Sequence, residues 1–116
     1  NIGAVFAKKG QADHAIANYQ KALAIEQNLP SAWLNLGNAY FRKGMPDKAL
    51  FYYETALSFK PDFAEAYCGL GAVMAGRGEL EKAHQAFLQA LDIDPGSISA
   101  RNSITQIEEK MRKNSQ

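Results

Sequence analysis

Apolar positions recur along this chain with a helical period, and they come in paired runs. The first run holds Trp33, Leu36, Gly37 and Tyr40; the second holds Ala49, Tyr53, Ala56 and Leu57. Spacings of three and four residues put each run on one face of a helix. Gly44 separates the runs, as a helix C-terminus favours, and Pro46 follows where it can occupy the first turn of the next helix. Pro61 closes the second run. The spacing predicts a helix hairpin over 30–63.

The same pattern returns at a lag of 34 residues. Trp33 aligns with Tyr67, Leu36 with Leu70 and Ile2, Gly37 with Gly71 and Gly3, and Tyr40 with Met74 and Phe6. Gly44 aligns with Gly78 and Gly10, Ala49 with Ala83 and Ala15, and Tyr53 with Phe87 and Tyr19. Ala56 aligns with Ala90 and Ala22, and Leu57 with Leu91 and Leu23. Pro61 matches Pro95, whereas the first copy carries Gln27. Three hairpins are predicted: 1–29, which starts part-way through its first helix, 30–63 and 64–97. More repeats or another domain are expected upstream. Asp62 with Glu65 reads as a capping box for the third copy's first helix. Gly37, Gly71 and the alanines 49, 56, 83 and 90 fall on inward faces, where small groups let helices approach. No hairpin buries its apolar face alone, so neighbours must stack. A fourth copy fails after Ser97. Ile98, Arg101, Ile104, Thr105, Ile107, Glu108 and Met111 leave one weakly apolar face, so 98–116 is expected to be a capping helix with a basic tail. The tail cations Lys110, Arg112 and Lys113 suit the negative end of a helix.

The pattern Trp33-x2-Leu36-Gly37-x2-Tyr40, then Ala49-x3-Tyr53-x2-Ala56, then Pro61, resembles the tetratricopeptide repeat. Tyr67 to Pro95 resembles it nearly as well, with Met74 in place of an aromatic. The resemblance covers Asn1 to about Ser97 and implies an all-α, right-handed superhelical stack of hairpins, an α-solenoid whose first helices line a concave groove. It also implies a protein–protein interaction scaffold that binds a peptide or a partner protein in that groove.

Removing the packing positions from each first helix leaves the groove face. It consists of Ala4, Ala7 and Lys8 in the first copy and Ser31, Leu34, Asn35, Asn38, Phe41 and Arg42 in the second. Glu65, Cys68, Gly69, Ala72, Ala75 and Gly76 follow in the third, and the capping helix adds Asn102, Gln106 and Lys110. The candidate peptide-binding residues among these are Leu34, Asn35, Asn38, Phe41, Arg42, Glu65, Cys68 and Ala72. Asn1 and Asn35 are equivalent, and an asparagine offers a donor and an acceptor to a peptide backbone. Such a ladder resembles the repeat region of protein O-linked N-acetylglucosamine transferases, although here it stops at Gly69 and Ser103. The plain alternative for Asn35 is a solvated polar residue. Leu34, Phe41 and Arg42 facing the small side chains Ala72, Ala75 and Gly76 would make a mixed pocket for an apolar side chain. Alternatively, Phe41 packs on the third copy. Family members that bind chaperone tails resemble one another in a clamp of two lysines, an arginine and two asparagines. One register here offers Ala4, Asn35, Glu65 and Gly69; the other offers Leu34, Asn38, Gly69, Ser99 and Ser103. The cations are missing, and Glu65 would repel an anionic tail.

Composition narrows the picture. A chain of 116 residues suits one compact domain, and 47% hydrophobic with 22% charged residues is too apolar for disorder. A net charge of +1, from 13 basic and 12 acidic residues, is not the footprint of a nucleic-acid binder. No apolar run reaches the length of about 18 residues that a membrane-spanning helix needs, and no secretory signal is visible. The single cysteine, Cys68, forms no internal disulfide; that fits a reducing compartment and favours the cytoplasm. His14 and His84 have no Cys or His at metal-ligand spacing. Gly69-x-Gly71-x4-Gly76-Arg77 lacks the Lys-Ser/Thr ending of a phosphate loop. Glu108 and Glu109 point apart on a helix, and Cys68 has no nearby cation to activate it. The chain is therefore expected to need no metal or cofactor and to be no enzyme by itself. Two other classes stay open: the substrate-recognition segment of a larger, glycosyltransferase-like enzyme, and a scaffold that forms homo-oligomers through Ile2, Val5 and Phe6 on its truncated N-terminal face.

Overall fold

The structure, a computed structural model, describes residues 2–115, with side chains from residue 11 onward. Asn1 of the asparagine ladder, the side chains of Ala4, Ala7 and Lys8, and the Ile2, Val5 and Phe6 face lie outside the described residues. Six helices run through the described residues: α1 (Ile2–Ile25), α2 (Pro30–Arg42), α3 (Pro46–Phe59), α4 (Ala64–Gly76), α5 (Leu80–Ile93) and α6 (Ile98–Asn114). The all-α class is as expected. The helices form two compact units, Asn1–Pro61 and Asp62–Gln116.

In the first unit α2 and α3 form a hairpin whose helices meet at Gly37. A Cβ built there would lie 2.6 Å from Cε1 of Tyr53, a separation that no real pair of carbons tolerates. The ring of Tyr53, 2% exposed, thus lies directly on the backbone of α2. Ala49 and Ala56, both at 0% exposure, complete the inward row of α3. The turn is a closed helix end. Gly44 takes a φ of 79°, a left-handed conformation that costs a side chain but not glycine. The Met45 N–H donates to the Tyr40 carbonyl at 2.9 Å and the Gly44 N–H to the Phe41 carbonyl at 3.0 Å. This pair of bonds satisfies carbonyls that the end of α2 would otherwise leave open.

One expectation fails in this unit. The repeat pattern predicts a turn at Gly10, but α1 runs unbroken from Ile2 to Ile25. Copies two and three fold back because a first helix of 13 residues lays a glycine against a ring of its partner. A glycine inside a helix costs only about 1 kcal/mol, so Gly10 alone does not end α1. Ala12, Ile16 and Leu23 form the buried stripe of α1. Asp13 Oδ1 meets Lys43 Nζ at 2.6 Å and ties α1 to the end of α2.

The second unit repeats the design. A Cβ on Gly71 would lie 2.6 Å from Cε1 of Phe87, which is 5% exposed. Gly78 takes a φ of 81°, and the Glu79 N–H donates to the Met74 carbonyl at 2.9 Å. Helix α6 then lays Ile104 and Ile107 on Ala83 and Phe87, with Met111 alongside. Ala100 joins Ala64 and Ala90 in a second cluster.

Two local details differ from the sequence reading. Asp62 and Glu65 make no capping box: α4 begins at Ala64 after Phe63, and no side chain caps it. Phe63 is 4% exposed, so burial of its ring, one residue later than the predicted cap, fixes where the helix starts. Ser97 does cap α6, its Oγ accepting from the Ala100 N–H at 3.1 Å. Ile98, expected on the apolar face of α6, is 73% exposed. The buried row is Ala100, Ile104 and Ile107, a helical stripe that leaves Ile98 to one side.

The glycine contact makes a direct test. Replacing Gly71 by Ala adds a good helix former yet forces the Phe87 ring aside, and is expected to cost about 1–3 kcal/mol in urea unfolding. Gly76→Ala, in the same helix with nothing within 4 Å, is expected to be neutral or to stabilise by up to about 1 kcal/mol.

Candidate functional site

On α2 the side opposite the buried rows carries Ser31, Asn35, Asn38, Phe41 and Arg42. Ser31, Phe41 and Arg42 are exposed, and Asn35 and Asn38 are half-buried. Ser31, Asn35, Asn38 and Arg42 follow the i, i+4, i+7, i+11 spacing of one stripe, and Phe41, three residues after Asn38, lies at its edge. Phe41 is 41% exposed, a large ring left partly in water. Leu34, four residues before Asn38 and seven before Phe41, borders the same face but is buried at 9% exposure.

Asn38 is more constrained than its neighbours. Its Oδ1 accepts a hydrogen bond of 2.6 Å from the Tyr53 hydroxyl. Burial pushes the Tyr53 phenol up to about 12, and the Arg42 guanidinium opposes that rise. The charge of Arg42 is therefore felt at the inner end of the stripe. The sequence reading missed the part played by Tyr53. No signal across the copies marks it: copy two sets Asn38 with Tyr53 and copy three Ala72 with Phe87, but copy one sets Ala4 with Tyr19.

An aromatic stack holds this hairpin together. The Trp33 ring stacks on Phe59 at 6.1 Å and on Tyr52 at 5.8 Å, and Tyr52 stacks on Tyr40 at 5.3 Å. Lys48 Nζ sits 5.2 Å from the centre of the Tyr40 ring. The indole N–H of Trp33 donates to the Gln27 carbonyl at 2.9 Å. Tyr52 and Phe59 have no aromatic counterparts in the third copy, where Ala86 and Ile93 stand. A search for matching positions therefore passes over them.

On α4 the equivalent stripe is poorer. Glu65 is exposed, Gly69 and Ala72 are half-buried, and Gly76 is exposed. Cys68 and Ala75, which the sequence pattern expects on it, are half-buried and also touch the core of their own unit. Cys68 lies against the clusters that α5 and α6 build, and Ala75 lies against that of Ala83, Phe87, Ile104 and Ile107. Position 68 sits at the step where one first helix meets the next, so neighbouring packing covers it. Burial raises the Cys68 thiol above its ordinary range, with Glu65 and Asp94 adding to the rise. Gly69 and Gly71 lie inside α4, where helical bonds occupy their N–H groups, so no phosphate loop exists there. His84, expected to be a solvated residue, has its Nε2 3.2 Å from Glu108 Oε2 and links α5 to α6. Among the described residues no cluster of metal-ligating side chains occurs, and no helix is long and apolar enough to cross a membrane.

Family models described as TPR repeat match residues 3–44, and those described as tetratricopeptide repeat match 30–63 and 64–97. Comparison with curated proteins gives no significant match. Among solved structures, the chain is similar to the first TPR of Spaghetti (RPAP3) bound to the HSP90 peptide SRMEEVD. Identity there is 25% and the TM-score 0.82, over 95% of this chain and 87% of that one. It is also similar to the first TPR domain of human RPAP3, at 25% identity and a TM-score of 0.85 over 97% and 89%. The Sgt2 TPR domain from Aspergillus fumigatus shares the fold at 20% identity and a TM-score of 0.78 over 97% and 82%.

The placement of Cys68 has a measurable consequence. At pH 8, iodoacetamide is expected to alkylate the folded chain at least about tenfold more slowly than the urea-unfolded chain, because burial and a raised pKa both withhold the thiolate. Equal rates would put the thiol on an open face.

Proposed function

The chain belongs to the tetratricopeptide repeat family, and from that premise we propose that it is an interaction scaffold that binds an extended peptide segment of a partner protein along the exposed stripe of α2. The residues that make the contact are Asn35, Asn38, Phe41 and Arg42. The observation that carries the reading is the company this stripe keeps. Two amides, a half-exposed ring and a guanidinium share one face of a helix whose remaining rows are buried. Amides pair with a peptide backbone, a ring supplies anchor area, and a guanidinium pairs with oxygen acceptors. A helix locked from behind spends little entropy when a ligand docks.

The likeness to the HSP90-peptide-bound domain of Spaghetti supports a peptide as the class of partner. It does not extend to the acidic tail itself. Leu34 of α2 is buried and apolar, and Glu65 of α4 is an exposed anion. Neither supplies the cation that a chaperone-tail clamp places at its matching positions. The partner segment we propose is therefore not one that depends on a cluster of carboxylates. No catalytic step, cofactor or metal enters this reading.

A random heptapeptide library displayed on phage and selected on the chain tests it. A synthetic copy of the most enriched heptapeptide is then titrated into 15N-labelled protein. Binding with a Kd on the order of micromolar is expected, with the largest shifts at Asn35, Asn38, Phe41 and Arg42. SRMEEVD is expected to bind at least about tenfold more weakly, for want of paired cations. Failure to enrich any sequence, or shifts confined to α3, α5 or α6, would overturn the reading.

A further inference from the structure

The buried hydroxyl of Tyr53 decides what kind of atom the α2 stripe can recognise. A free asparagine carboxamide is ambiguous: it offers an acceptor and two N–H donors and can turn over to present either. Asn38 is not free. The Tyr53 hydroxyl is 2.6 Å from its Oδ1. That length falls within the range of an O–H···O bond and below that of an N–H···O bond, which selects the orientation with oxygen inward. The reverse orientation would also leave the phenol proton of a 2%-exposed tyrosine without its acceptor. With its oxygen committed, Asn38 has N–H donors left to offer. Arg42, one helical turn further along α2, carries donors only.

We infer that Tyr53 is a positioning residue that fixes Asn38 as a donor, so that Asn38 and Arg42 together select an acceptor oxygen of the bound peptide, either a backbone carbonyl or a carboxylate. The inference rests on the peptide-binding reading of the α2 stripe and adds its polarity. The third copy agrees with it. There Ala72 needs no orientation, and Phe87 fills the ring position over Gly71 without a hydroxyl. Phe87 shows that ring packing over the glycine does not require a hydroxyl, although the first copy keeps Tyr19 at this sequence position with Ala4 at that of Asn38, so the role of the Tyr53 hydroxyl rests on its bond to Asn38.

The test uses the heptapeptide most enriched on the wild-type chain and two variants. Asn38→Asp keeps an acceptor for the Tyr53 hydroxyl and replaces the donors by a second acceptor. It is expected to retain the thermal midpoint of the wild type and to weaken heptapeptide binding at least about tenfold, the effect of setting acceptor against acceptor. Tyr53→Phe keeps the ring, and the matching phenylalanine of the third copy shows that the position accepts it. It is expected to lose about threefold in affinity as the Asn38 amide becomes free to turn. The two Nδ2 proton signals of Asn38 are expected to move towards those of a solvated amide at the same time, which a purely structural role of Tyr53 in packing would not cause. Replacing the acidic residues of the heptapeptide by amides, and its C-terminal acid by an amide, then separates the two sources. Lost affinity identifies a carboxylate and retained affinity a backbone carbonyl. Equal heptapeptide affinity for wild type and Asn38→Asp, with the shifts still on α2, would overturn the inference and leave the binding reading standing. Absence of any enriched heptapeptide, or shifts away from α2, would overturn the binding reading and the inference with it.

Discussion

Each hairpin depends on an aromatic ring lying on bare backbone. Tyr53 against Gly37 and Phe87 against Gly71 come so close that a single added carbon would sit 2.6 Å from the ring. Much else follows from that approach. It brings the helices near enough for alanine to suffice at positions 49, 56, 83 and 90, each at 0% exposure. It commits one face of each first helix to its partner. The chain must then reverse within a few residues, which Gly44 and Gly78 allow through their left-handed backbone.

The same contact joins the fold to the proposed function. In the first unit the ring that closes the hairpin ends in a hydroxyl, and that hydroxyl reaches Asn38. In the proposed reading, a residue of the core thereby sets the orientation of a residue on the α2 stripe. The stacked rings of Trp33, Tyr52, Phe59 and Tyr40 stiffen the same hairpin. In the second unit the small residues Gly69, Ala72 and Gly76 take the matching positions, so chemical variety concentrates on α2.

Most of the hairpin architecture was legible in the sequence because it rests on residues with few substitutes. Gly37 and Gly71 mark close approach, Gly44 and Gly78 mark reversals, and all four stand one repeat length apart from their counterparts. What misled lay between repeats or depended on a balance of small terms. Gly10 marks a reversal in pattern, yet α1 runs through it, since one helical glycine costs too little to end a helix. Asp62 and Glu65 match a capping box, but burial of Phe63 places the helix start one residue further on. The pattern sets Leu34 and Cys68 beside the stripe; the structure buries Leu34 and half-buries Cys68, which their apolar character foreshadowed. The Tyr53–Asn38 bond was not readable across the copies, because the first copy sets Tyr19 with Ala4 at the matching positions.

The central claim is that a preformed stripe on α2 receives a peptide, with Asn38 as a donor. The most direct measurement is a crystal structure of the chain with the selected heptapeptide bound. The account predicts an extended peptide beside α2, a peptide oxygen within hydrogen-bond reach of Asn38 Nδ2, and the Tyr53 hydroxyl still on Asn38 Oδ1. A peptide seated elsewhere, or one donating an N–H to Asn38 Oδ1 with the tyrosine bond broken, would contradict it.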